Sequence, residues 1–140
     1  MESELHGLLK EAICYELKKE GYDLYVEPSE SPLEMLSWNY FRPDILGLIC
    51  QETELGLIIV ECETNPSVKR MNEKRLKIER WFHLQKRLNE KHLFRFLLAV
   101  PPGMLRKVNT STIRRLWEIW IVNDKGKIIH KVPKKSIMFL

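Results

Sequence analysis

Residues 42–63 read RPDILGLICQETELGLIIVECE. Two strongly apolar stretches flank a short polar break. Asp44 opens the first stretch, and Glu61 and Glu63 close the second. Ionised carboxylates avoid strand interiors unless something compensates them. If the stretches, roughly 44–50 and 55–63, pair as antiparallel strands around a two-residue turn at Glu52-Thr53, partner residues carry numbers that sum to 105. Asp44 then faces Glu61, Leu46 faces Ile59 and Leu48 faces Leu57, so apolar meets apolar as the period of two requires. Glu61 and Glu63 share a face because they are two residues apart. Three carboxylates therefore converge at one sheet end, with opposed Cβ atoms roughly 5 Å apart. Pro43 is tolerated at the first residue of a strand. Glu52-Thr53 is not a favoured type I′ pair, and a four- or five-residue loop there would shift the register.

Clustered like charges raise one another's pKa. A divalent cation reverses that cost, and hard oxygen ligands of this kind are what Mg²⁺ selects. In the competing reading Asp44 caps a loop, while Glu61 and Glu63 pair with Arg or Lys from the basic helix that follows.

Around this stretch the chain orders as α-β-β-β-α-β plus a terminal hairpin, which predicts an α/β fold with a mixed central sheet flanked by helices. Residues 3–20 follow helical spacing through Leu5, Leu8, Leu9, Ala12, Ile13 and Leu17, with Ser3 as N-cap and Gly21 at the C′ position. YDLYVEP (22–28) alternates like a strand, and residues 29–41 have no clean period and read as a loop. Asn65-Pro66 supplies a cap and a first-turn proline for a basic helix over 66–90 that buries Val68, Met71, Ile78, Trp81, Phe82 and Gln85. LFRFLLAV (93–100) is a buried strand, residues 110–116 a short helix, and 116–122 and 127–132 a hairpin around Asp124-Lys125-Gly126. Trp81, Phe82, Trp117 and Trp120 read as core rather than as base-stacking surfaces.

The chain has 140 residues, enough for one domain over 1–140 with a single core and no disulfide staples. Cys14, Cys50 and Cys62 are odd in number and lack CxxC spacing, so they read as reduced thiols of an intracellular protein. There is no basic and apolar leader and no run long enough to span a membrane, which points to a soluble, cytoplasmic protein with no membrane partner. Residues 1–63 hold 4 Lys/Arg against 14 Asp/Glu, a net of −10, whereas residues 64–140 hold 19 against 5, a net of +14. A solvated surface from a hot environment explains that abundance of charge. Its segregation fits a basic surface for a polyanion beside a separate acidic cluster.

An N-terminal helix, then RPDI, then IIVECE with Glu61 seventeen residues after Asp44, leading into a helix, resembles the PD-(D/E)XK nuclease superfamily over residues 4–100. That superfamily includes Holliday-junction resolvases, Mrr-type enzymes and restriction enzymes. The resemblance implies a restriction-endonuclease-like core and Mg²⁺- or Mn²⁺-dependent hydrolysis of DNA phosphodiesters. It makes Asp44 and Glu61 metal ligands, joined by the Cys62 carbonyl. The motif lysine falls at position 63, where this chain has Glu63. Some restriction enzymes carry a second Glu there, as a metal ligand or to orient the attacking water. Elsewhere the lysine migrates to the following helix, where Lys69 and Lys74 are available, Lys69 being a candidate for stabilising developing charge. Glu11 matches the glutamate that many members carry on the first helix; the bland alternative is a solvated side chain. Arg42 would reach a phosphate or pair with Glu63, and Lys69, Arg70, Lys74 and Lys77 would attract the nucleic-acid backbone. A homodimer would supply the two sites that double-strand cutting needs. The rival from another class is a nucleic-acid-binding module on a degenerate nuclease fold, for which Glu63 is the main support. Cysteine catalysis fits poorly, because Cys62 points away from Glu61 and Glu63, and the scattered histidines do not indicate zinc.

Overall fold

A computed structural model of the chain describes residues 3–28, 42–52, 54–84 and 92–135. The first helix, α1 (Glu4–Lys19), is capped by the Ser3 side chain, which accepts from the His6 N–H. It ends in a Schellman arrangement: Gly21 N–H donates to Lys18 and Tyr22 N–H to Leu17, with Gly21 at φ +101°. Strands β1 (Asp23–Val26), β2 (Ile45–Gln51) and β3 (Glu54–Cys62) follow as an antiparallel meander. Helix α2 (Val68–Leu84) then crosses over to β4 (His92–Val100), which lies parallel to β3. A 3₁₀ turn (Pro102–Met104) and two short helices, α3 (Leu105–Val108) and α4 (Ser111–Arg114), form a second crossover to β5 (Glu118–Val122). β6 (Ile128–Val132) closes the chain as an antiparallel hairpin with β5. The six strands lie in sequence order in one mixed sheet.

The register of β2 against β3 is the expected one: Leu46 pairs with Ile59, Leu48 with Leu57 and Gln51 with Glu54. Glu52 takes the left-handed conformation (φ +55°), which lets an unfavoured pair close the two-residue turn. Gly126 does the same for the β5–β6 turn at φ +74°.

Alternation divides the sheet between two cores. Ile45, Ile58, Val60, Leu97 and Ala99 meet Leu9, Ile13 and Leu17 of α1. Each of those three α1 side chains is fully buried, contributing roughly 1.5–3 kcal/mol against exposure. Leu46, Leu57, Ile59, Leu98 and Val100 meet Met71 and Ile78 of α2, Val108 of α3 and Ile113 of α4. Trp117 and Trp120 are core residues, as expected, on opposite sides of the sheet.

Two boundaries differ from the sequence reading. Helix α2 starts at Val68 because Ser67, not Asn65, provides the cap, its hydroxyl accepting from the Arg70 N–H. Residues 102–108, to which the sequence reading assigns no element between the strand over 93–100 and the helix over 110–116, are helical. The loop at 29–41, the extension of α2 over 85–90 and the side chains of Trp81 and Phe82 lie outside the described residues. Among the described residues no helix is long and apolar enough to cross a membrane.

Candidate functional site

The antiparallel ladder of β2 and β3 ends at Asp44. Its N–H donates to the Val60 carbonyl at 3.1 Å, and its own carbonyl accepts from the Glu27 N–H at 2.7 Å. The next rung is made by a side chain: the Cys62 N–H donates to Asp44 Oδ2 at 2.8 Å. Asp44 is thereby fixed beside the end of β3. Glu61 and Glu63 sit on the α2 face there, only 3% and 5% exposed. The Glu63 N–H donates to the Ala99 carbonyl at 2.9 Å, which carries the β3–β4 pairing one residue past the strand.

Helix α2 delivers the counter-charge. Lys74 Nζ bonds Glu61 Oε2 at 3.3 Å and also Glu63 Oε1, and Arg70 approaches Glu63 at 3.6 Å. Lys69 does not fill this role. It lies five residues earlier, turned about 140° around the helix axis, and is exposed. Lys77 and Arg42 are exposed as well. Glu63, the partner considered for Arg42, is instead engaged by Lys74 and Arg70.

Helix α1 contributes residues that sequence spacing did not single out. His6 Nε2 lies 2.9 Å from the Cys62 carbonyl, donating to it in the tautomer that carries a proton there, and 3.7 Å from Asp44 Oδ2. Lys10, one turn on, is buried and bonds Glu27. Glu11 is not brought to the cluster. It is exposed and lines a separate hollow with Tyr15, Gly126 and Ile128. The reason is angular: α1 turns Leu9, Ile13 and Leu17 onto the sheet, and His6 and Lys10 share that side while Glu11 does not. His6, Asp44, Cys62, Glu63, Arg70 and Lys74 together line an open cleft of ≈ 480 Å³.

The electrostatics follow from burial. Desolvation pushes the Glu61 carboxyl well above its ordinary pKa; Lys74 opposes the rise, and Asp44 adds to it by charge and by a hydrogen bond. Burial alone would lower Lys74, but Glu61 and Glu63 outweigh it and hold the ammonium protonated above its usual range. The Cys62 thiol is raised by burial first and by Asp44 and Glu61 next, so it is an unreactive neutral group.

Among the described residues no three His, Cys, Asp or Glu side chains are grouped to hold an ion. The Lys74 ammonium bridges Glu61 and Glu63, so in this arrangement the counter-charge of Glu63 comes from the chain itself. Asp44 and Glu61, set opposite each other by the register of β2 and β3, lie next to the Cys62 carbonyl. Mg²⁺ usually keeps several waters and takes only one or two carboxylates, so this smaller set fits a hard cation. Both sequence readings are therefore realised in part: the acids converge, and a helix lysine neutralises two of them.

No family model and no curated protein matches the chain. Two solved structures are similar to it. One is the crystal structure of an XisH family protein from Nostoc punctiforme PCC 73102, with TM-score 0.51 and 14% identity, covering 91% of this chain and 97% of that one. The other is that of an fdxN element excision controlling factor protein from Anabaena variabilis, with TM-score 0.53 and 11% identity, covering 90% and 98%. At such identities the likeness is one of fold: a mixed sheet flanked by helices, across nearly the whole length of all three chains.

Proposed function

We propose that this protein is a metal-dependent phosphodiesterase acting on DNA, of the PD-(D/E)XK type. The observation that carries the reading is the Lys74 contact. Where the motif lysine is replaced by Glu63, an ammonium from α2 returns to the same acids. One neighbour is named an fdxN element excision controlling factor protein, and excision of an element is in keeping with a DNA substrate.

Asp44 and Glu61, with the Cys62 carbonyl, would hold Mg²⁺ or Mn²⁺. When bound, such an ion polarises a phosphoryl oxygen and lowers the pKa of a coordinated water. The chain's own groups do the rest. Lys74, held protonated, places positive charge where the phosphoryl oxygens gain negative charge. Glu63 fixes the ammonium in position through Oε1. Arg70, 60% exposed beside Glu63, is placed to pair with an incoming phosphate. His6 bounds the other side of the cleft and presents an N–H-bearing ring beside Asp44.

A non-catalytic DNA-binding module is the second reading. It is favoured by the same lysine, because Lys74 occupies carboxylate oxygens that a second ion would need. The test is cleavage of supercoiled, branched and single-stranded DNA with MgCl₂ or MnCl₂, with Asp44→Ala as control. Cation-dependent cutting lost in Asp44→Ala is expected. Binding of all three substrates without cutting, in both metals, would reject the enzyme reading.

A further inference from the structure

Basic residues at the start of α2 and beyond it form a surface whose position in the fold is specific. Residues 64–72 carry Lys69 and Arg70, residues 101–117 carry Arg106, Lys107, Arg114 and Arg115, and residues 133–135 carry Lys134 and Lys135. These three segments contain no Asp or Glu at all. They are also neighbours in space. Val108 and Ile113 share one core with Met71 of α2. Lys107 Nζ donates to Asn65 Oδ1 at 3.5 Å, tying α3 to the loop that leaves the acidic site. The Lys135 N–H donates to the Arg114 carbonyl at 2.8 Å, and Lys135 Nζ to Ser111 Oγ at 3.1 Å, which lays the segment after β6 against α4. Apart from half-buried Arg114, the eight cations are exposed.

A surface evolved only for solubility mixes charges of both signs. These segments carry a single sign, lie on the α2 side of the sheet, and are joined through Asn65 to the loop after Glu63. We propose that the α3–α4 crossover and the 133–135 segment form a platform for the sugar-phosphate backbone of duplex DNA, flanking the nucleotides that enter the cleft. Duplex DNA presents one negative charge per ~1.7 Å of axis, and a row of cations with no interspersed acid matches such a line of phosphates. The proposal rests on the reading of DNA as substrate, and it adds a second anchoring region that the basic helix alone does not supply.

The test is fluorescence-anisotropy binding in EDTA, so that binding is read without cleavage, using a short duplex that fills only the cleft and a longer one that extends beyond it. The variant is the triple substitution Arg106→Gln/Lys107→Gln/Arg115→Gln, with Lys125→Gln/Lys127→Gln on the β5–β6 turn as the control for loss of positive charge elsewhere on the surface. Each lost phosphate contact lowers the slope of log K against log salt by about 0.9. The expected result is a slope reduced by about 2–3 and an affinity for the long duplex at least tenfold weaker. The short duplex should be bound as before, and the control nearly unchanged. Retention of the wild-type preference for the long duplex, an equal loss in the control, or no DNA binding by the wild type would each overturn the proposal. If this pattern holds but no cleavage occurs with any divalent cation, the phosphodiesterase reading falls and the platform stands.

Discussion

Replacing Lys74 by Met tests the electrostatic arrangement of the site directly. The Lys74 side chain is 22% exposed, and the two glutamate side chains it joins are 4% and 7% exposed. Methionine keeps most of the side-chain volume and removes the charge, so packing changes little while two buried carboxylates lose their cation. Removing one partner of a buried ion pair costs about 3–5 kcal/mol. Arg70 cannot make up the loss: at 60% exposure and 3.6 Å from Glu63 it is worth at most about 1 kcal/mol.

The pH dependence has a defined sign. Glu61 already has a folded-state pKa above its unfolded value, and without Lys74 it moves further in that direction. A raised carboxyl contributes its full stability below the unfolded pKa, and that stability is lost as pH rises through the folded pKa. The gap between wild type and Lys74→Met should therefore be small at about pH 4 and widen towards about pH 8, at ~1.4 kcal/mol for each tenfold difference in proton binding. Urea denaturation followed by circular dichroism measures it. Millimolar MgCl₂ should raise the variant's midpoint more than the wild type's, since a dication takes over the neutralising role. A gap under about 1 kcal/mol at the alkaline end, or one that does not shrink on acidification, would show that Lys74 is not the buried counter-charge. The whole description of the site would then fail.

Three further outcomes are expected. His6→Ala should slow cation-dependent cleavage by about a hundredfold or more if the ring takes part in proton transfer, with the thermal midpoint nearly unchanged; recovery in His6→Gln, which retains an N–H for the Cys62 carbonyl, would assign it a positioning role instead. Glu11→Gln should leave cleavage and DNA affinity at wild-type values, and a tenfold loss of either would mean that α1 presents a different side to the substrate. Gly47→Ala should destabilise the fold by about 1–3 kcal/mol through overpacking, because a Cβ there would stand 2.5 Å from Ile58 Cγ2; an unchanged urea midpoint would contradict the close packing of β2 beneath Tyr22 and Leu24.

What could be read from the sequence divides along a physical line. Strand alternation is local, so the pairing of Leu46 with Ile59 and the shared face of Glu61 and Glu63 follow from numbering alone. The identity of the groups that meet those acids is not local. Which lysine arrives depends on how α2 is turned against the sheet. Met71 and Ile78 are its buried residues, and Lys74, three residues after one and four before the other, lies on their side of the helix, whereas Lys69, two residues before Met71, does not. The same holds for α1. Its apolar stripe of Leu9, Ile13 and Leu17 was plain, yet the stripe does not say which end of the helix overhangs the acids. The structure puts the N-terminal end there, so the useful residue is His6, three positions before the stripe begins, rather than Glu11 beside it. A signal was present: His6 and Lys10 continue the buried side of α1 with polar groups, and polar residues on a buried helix face require partners. For this chain those partners are the Cys62 carbonyl and Glu27, and that requirement, more than motif spacing, identifies the two helix residues that complete the site.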